Sequence, residues 1–167
     1  MALNYANMSR HEFDAIVTGE LSSLTLSFEL QINEIIIGYF LQGARRKDDF
    51  RIVFFYRECM TFQQKMDIVK VIINTNPSRL DKTESNKILK MIESFKSLRN
   101  ALAHCFTHSL DQGNELRICL DMFSRSGRYK VIEITPESHD QLMMDFEGQF
   151  KQIVEWRKKS IKSLNRK

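Results

Sequence analysis

The residues of this chain best suited to chemistry are Arg99, Asn100 and His104, in the run Phe95-Lys96-Ser97-Leu98-Arg99-Asn100-Ala101-Leu102-Ala103-His104. A histidine, with a reference pKa of ~6.5, exchanges a proton near neutral pH. An arginine stays cationic, and its planar fork matches phosphate oxygens. Asn100 between them can hold the imidazole tautomer or bond a phosphate or hydroxyl oxygen. It sits in a helical pattern although asparagine there costs up to ~0.7 kcal/mol relative to alanine. The set suits acid–base chemistry on a phosphate ester. The plainer reading makes Arg99 and His104 cations favoured near a helix C-terminus.

Neighbouring residues invite other chemistries. His104 and His108 stand at i and i+4, but the glutamate of a metalloprotease helix is absent and no third ligand is evident, so no metal or other cofactor is expected. His108 is kept as an accessory to the Arg99–His104 site. Glu34, amid apolar residues, either faces solvent or pairs with Arg99 and orients it. Arg45, Arg46 and Lys47 read as a solvated loop able to touch an RNA backbone. His11 and His139 read as exposed. The aromatics Phe50, Phe54, Phe55, Tyr56 and Phe62 have core spacing rather than that of a base-stacking platform. Gly-rich phosphate loops, a nucleophile elbow and a dinucleotide fingerprint are all missing.

The elements that position these residues read as helices. Phe13, Ile16, Val17, Leu21, Leu24, Phe28, Ile32, Ile35 and Tyr39 recur at three- and four-residue steps from about Ser9 to Leu41. Leu26, Leu30, Ile37 and Leu41 lie off that face, so this helix is either central or part of an oligomer interface. Gly43 is its natural breaker. Asp48 or Asp49 would cap a short helix over Phe50–Arg57. Thr61 with Gln64 forms a capping box for Phe62–Ile73, and Asn74–Ser78 is a loop. Asp81 or Thr83 opens a helix to about Phe106 with the stripe Ile88, Met91, Ile92, Phe95, Leu98, Leu102 and Phe106. Leu116, Ile118, Leu120 and Met122 then alternate with polar neighbours. Tyr129, Val131, Ile132 and Ile134 follow a Gly-containing turn at Ser124–Gly127, a β-hairpin over about 115–135. Thr135-Pro136 starts the last helix, which uses Leu142, Phe146, Phe150, Ile153 and Trp156. The fold class expected is all-α: four to five helices in a bundle, with one two-stranded hairpin before the last helix.

Arg99-Asn100-x3-His104, late in a long helix, resembles the signature of HEPN domains: Arg, four to six residues, then His, with a polar residue after the Arg. An upstream Phe62-x-x-Lys65-x-x-Ile68 segment and a first helix containing Asn33-Glu34-Ile35-Ile36 fit the same pattern. The likeness extends to about Phe106. It implies a HEPN-like bundle and, in catalytic members, a metal-independent endoribonuclease acting as a homodimer. Other members are non-catalytic regulatory modules, including mannitol-repressor-like proteins, so fold membership does not fix function.

RNA cleavage through its own 2′-hydroxyl needs a base, an acid and positive charge on the phosphorane. At ~100° per residue, Asn100 and His104 project about 40° apart, but Arg99 and His104 diverge by about 140°. A two-fold dimer would bring two His and two Arg to one cleft, with Ala101 and Ala103 small enough to admit the partner helix. The function expected is thus a toxin- or defence-type endoribonuclease cutting single-stranded or loop RNA. A cognate antitoxin or regulatory protein would be a further partner. The alternatives are a regulatory module and an RNA binder that does not cleave.

Composition sets the limits. One domain, residues 1–156, is expected, followed by a basic tail at 157–167. Six of the 25 basic residues stand from Arg157 onward with no acid among them, including Arg157, Lys158 and Lys159; the remaining 19 face 21 acids. The tail either touches RNA or is a fraying, solvated helical end. Three widely spaced cysteines without a C-x-x-C pair disfavour a disulfide framework and suit the reducing cytoplasm. The opening Met-Ala-Leu-Asn-Tyr has no basic region followed by an apolar run, so no secretory signal is expected. Ile35–Leu41 is far short of the ~20 residues that span a bilayer, and no membrane association is expected.

Overall fold

A computed structural model describes residues 4–56, 59–104, 116–123 and 129–165; the side chains of residues 56, 104 and 121–123 are excluded. The described residues form α1 (Arg10–Phe40), α2 (Lys47–Phe50), a π-helical turn (Arg51–Tyr56), α3 (Phe62–Thr75), α4 (Lys82–His104), β1 (Ile118–Phe123), β2 (Tyr129–Ile134) and α5 (Pro136–Leu164). The fold is all-α with one antiparallel hairpin before the last helix.

Local chemistry sets the helix ends. Ser9 and Glu12 cap α1 reciprocally: Glu12 N donates to Ser9 Oγ, and Ser9 N donates to Glu12 Oε2 at 2.8 Å. Gly43, with φ of 74°, turns the chain away after α1 in a conformation that favours glycine. Thr61 and Gln64 form the expected capping box of α3. Asp81 Oδ1 accepts from the backbone N of Thr83 and Glu84, which selects Asp81 rather than Thr83 as the cap of α4. Thr135 and Ser138 bond reciprocally at the start of α5, where Pro136 loses no helical hydrogen bond.

The segment after α1 departs from expectation. Neither Asp48 nor Asp49 caps a helix: α2 begins at Lys47 with no side-chain cap. Asp48 instead accepts from Arg51 Nη1. The chain then continues as a π-helical turn, leaving Ile52, Val53 and Phe54 between 39% and 51% exposed while Phe55 is buried.

The chain divides into two compact units. The first comprises Met1–Thr25 and Glu93–Gly148. Phe13, Val17 and Leu21 of α1 are fully buried in it, as are Ile118 and Leu120 of β1, and Phe95 meets Phe146 edge-on at 6.0 Å. The hairpin register pairs Ile118 with Ile134 and Leu120 with Ile132, so these four share one face; Tyr129 and Val131 alternate to the other and are exposed. The residues of the expected turn, Ser124–Gly127, lie outside the described residues.

The second unit comprises Leu26–Ile92 and Gln149–Lys167. Its core includes Phe28, Ile32 and Ile35 of α1, Met66, Val69 and Ile72 of α3, and Ile153 and Trp156 of α5. Trp156 Nε1 donates to Ser85 Oγ at 3.1 Å, which satisfies two buried polar groups at once. The second apolar set of α1 is only partly covered: Ile37 is buried, whereas Leu26 and Leu30 are exposed. The basic residues from Arg157 to Lys162 are helical. They belong to α5, which continues to a buried Leu164 whose carbonyl accepts from Arg79 Nη1.

Candidate functional site

Arg99 and Asn100 sit on the last turns of α4, in the first unit. Arg99 is exposed and Asn100 half-buried. Arg99 Nη1 donates to Asn100 Oδ1 at 3.1 Å, which leaves the Asn100 NH2 group and a second lone pair of its amide oxygen for another partner. His104 is the last residue of α4. Its imidazole, and all of His108, lie outside the described residues.

Ala101 and Ala103 separate. Ala103 is exposed, one turn on from Arg99. Ala101 is 3% exposed, packed within its own chain. The expectation that both alanines admit a partner helix is corrected: two positions apart on a helix point to nearly opposite faces, and only Ala103 shares the side of Arg99.

Glu34, half-buried in the second unit, takes Arg51 as its partner. Arg51 grips it from two nitrogens, Nη2 at 2.9 Å and Nε at 3.1 Å from Oε1, a fork geometry that raises the Arg51 pKa. Of the basic residues considered for RNA contact, Arg45 and Arg46 are exposed and Lys47 is half-buried. Lys158 is exposed; Lys159 is held by Glu84 at 2.8 Å, and that bond raises its pKa. Arg157 is half-buried, and its Nε has no hydrogen-bond partner among the described residues. Arg166 and Lys167 lie outside them.

Two polar clusters escaped the sequence reading. Lys65 is 2% exposed; its Nζ lies 2.5 Å from Glu29 Oε1 and 5.1 Å from the centroid of the Phe55 ring. His139, expected to be exposed, is fully buried. Its Nδ1 stands 3.0 Å from Tyr5 Oη, and its Nε2 2.9 Å from Glu20 Oε2 at angles that do not make a hydrogen bond. His11 is exposed, as expected. Nearby, Tyr5, Arg117, Glu133 and Glu137 are among the residues lining a cleft of about 540 Å³. One signal was available for His139: it lies in the first turn of a helix, three residues before the apolar Leu142 that the stripe uses.

No three of His, Cys, Asp and Glu converge as metal ligands would among the described residues. No helix among them is long and apolar enough to cross a membrane. Compared with protein-family models, curated proteins and solved structures, the chain matches none.

Proposed function

We propose that this chain is a metal-independent endoribonuclease of toxin or defence type, of the HEPN kind, which cuts single-stranded or loop RNA in the cytoplasm. The observation that carries this reading is the joined pair Arg99–Asn100 on an accessible stretch of α4, one turn before His104. Unstacked RNA is the form whose backbone can bend for in-line attack. The RNA 2′-oxygen attacks phosphorus and the 5′-oxygen leaves, giving a 2′,3′-cyclic phosphate. His104 moves the protons, Arg99 offsets the phosphorane charge, and the Asn100 NH2 group orients a phosphate or 2′-hydroxyl oxygen. One helix directs Arg99 and His104 about 140° apart, so a two-fold homodimer would bring the histidines and the arginines of both copies to one cleft. Ala103 marks the side on which the partner would approach.

The test incubates purified protein with structured RNA in EDTA, beside Arg99→Ala and His104→Ala proteins verified as folded. Cleavage by the wild type alone, leaving cyclic phosphate ends, is the expected result. Mixing the two inactive variants should restore part of the activity, because the cleft of a mixed dimer then holds one His104 and one Arg99. Cleavage by a monomer would sink the composite site. No cleavage by any of the three proteins would sink the nuclease and leave a regulatory module.

A further inference from the structure

We propose that the outer face of α5 in the second unit, with the adjoining start of α4, binds the phosphate backbone of single-stranded RNA. The inference rests on the RNA reading above for its choice of polyanion. Charge is divided unevenly between the two units. Leu26–Ile92 with Gln149–Lys167 hold 18 Lys and Arg against nine Asp and Glu, a net charge of +9. Met1–Thr25 with Glu93–Gly148 hold seven against 12, a net charge of −5. The unit that carries Arg99 is acidic as a whole, so the attraction for an RNA strand resides in the second unit.

Two helices gather much of that charge. Lys159 of α5 bonds Glu84 of α4, Trp156 bonds Ser85, and Arg79, just before α4, bonds the Leu164 carbonyl, so the two helices lie side by side and antiparallel. Ile153, Trp156, Ser160 and Leu164 bury the inner side of α5. Lys151, Glu155, Lys158 and Lys162, at steps of four, three and four, form the exposed ridge opposite, about 16 Å long. Lys87 is exposed on α4, three residues on from Glu84. The acids here are few: Lys159 engages Glu84, Asp81 caps α4, and Glu155 stands alone on the ridge. Lys87, Lys151, Lys158 and Lys162 form no ion pair with a described residue.

The character of this face selects its occupant. Among the described residues, no large apolar side chain is exposed on α4 up to Ile92 or on α5 from Gln149. A partner helix would need apolar anchors, and a membrane surface an apolar face to bury. Lysines without either are point charges that suit a row of phosphates, whatever the base sequence.

The test reads binding and cleavage separately, with the full chain. A fluorescein-labelled 2′-O-methyl oligouridine, which has no 2′-hydroxyl to attack, is titrated by fluorescence anisotropy over a range of salt. Affinity that falls with salt is expected, each phosphate contact adding about −0.7 to the slope of log K on log salt. Lys151→Gln, Lys158→Gln and Lys162→Gln together should lower that slope by about two and weaken binding at low salt at least about tenfold. Arg45→Gln, Arg46→Gln and Lys47→Gln remove the same charge from the α1–α2 connection and should matter much less. An equal effect of the two triple variants would make net charge the cause and overturn the proposal. Glutamine matches lysine in helix propensity, so the fold should survive; should it fail, Lys158→Gln alone, with a slope loss of about 0.7, carries the test. Tighter binding of phosphatidylglycerol vesicles or of polyglutamate than of the oligonucleotide also overturns it. On cleavable RNA, the ridge variant should raise KM and leave kcat unchanged. Cleavage with an unaltered KM would refute the face and spare the nuclease. Binding through the face, with no cleavage by any protein, would refute the nuclease and spare the face.

Discussion

Tyr5 stands with its phenol oxygen 3.0 Å from Nδ1 of His139 while donating its own proton to Asp140 Oδ1 at 2.7 Å. With the single phenolic proton so engaged, Nδ1 must carry a proton and donate it to Tyr5. Burial raises the Tyr5 pKa, and the hydrogen bond and charge of Asp140 raise it further. A raised pKa gives stability that is complete below the unfolded phenol value of ~10 and lost as pH rises through the folded value. Tyr5→Phe is expected to cost about 1–2 kcal/mol at neutral pH, because His139 and Asp140 each lose a partner. The same variant should lose the part of the alkaline destabilisation that belongs to this phenol. Urea melts of both proteins from neutral to alkaline pH check both points; identical curves would show that the phenol contributes nothing.

Lys65 and Glu29 make the second prediction. An ammonium so fully buried has replaced its hydration by one carboxylate and one aromatic face. Glu29→Ala leaves that charge unpaired and should cost about 3 kcal/mol. The double variant Lys65→Met with Glu29→Leu should recover much of the loss, since a buried pair often gains little over apolar packing. A double-mutant cycle by chemical denaturation measures the difference, and additive losses would refute the coupling.

Two glycines of α1 should respond in opposite directions to the same substitution. A Cβ on Gly38 would lie 2.9 Å from Ile161 Cγ1 and 3.2 Å from its Cγ2 and Cδ1. Isoleucine is stiff at χ1, so it yields little. Overpacking of about 1–3 kcal/mol therefore outweighs the ~1 kcal/mol that alanine gains in a helix, and Gly38→Ala should destabilise. A Cβ on Gly19 meets nothing within 4 Å, so Gly19→Ala should stabilise by about 0.5–1 kcal/mol. Replacing Ile161 with alanine should ease the strain of Gly38→Ala, as urea midpoints of the single and double variants would reveal.

Acid should loosen two helix starts. Bonds from the Ser9 side chain and backbone hold the Glu12 carboxyl below its ordinary pKa; a backbone bond within Glu137 and the Thr135 hydroxyl do the same for Glu137. Depressed values give stability that is present above the unfolded carboxylate pKa and lost as pH falls through the folded one. Below pH ~4 the first turns of α1 and α5 should fray. Amide exchange should show it, and Glu12→Gln and Glu137→Gln should flatten the response at their own helix.

The sequence was most legible where a local rule has one solution. Thr61 and Gln64 could only be a capping box, Gly43 only a breaker, and Leu116 to Ile134 only a hairpin, because each signal is complete within a few residues. Arg51 hid its role because its partner, Glu34, is seventeen residues away, and the π-helical turn that presents it has no pattern distinct from an α-helix. The burial of Lys65 went unread, and His139 read as exposed, for the same reason: polar groups are buried only when a distant partner awaits them, and those partners, Glu29 for one and Tyr5 for the other, are not adjacent in sequence. At the candidate site the sequence supplied Arg99, Asn100 and His104 together. It could not supply the burial of Ala101, which depends on how α4 is rotated within its unit.

The turn from Arg51 to Tyr56 carries a last consequence. A π-helical turn is in effect an α-helical turn holding one residue too many. Loss of one residue there would let the ladder close as α-helix and swing the side chains on one side of the deletion by ~100° relative to those on the other. Ile52, Val53 and Phe54 could not all keep their outward aim. The exposed apolar surface of this turn can therefore be made or erased by a single codon gained or lost, with no side chain exchanged for another. Length variation at this turn, more than substitution, is the heritable change by which such a surface would come and go.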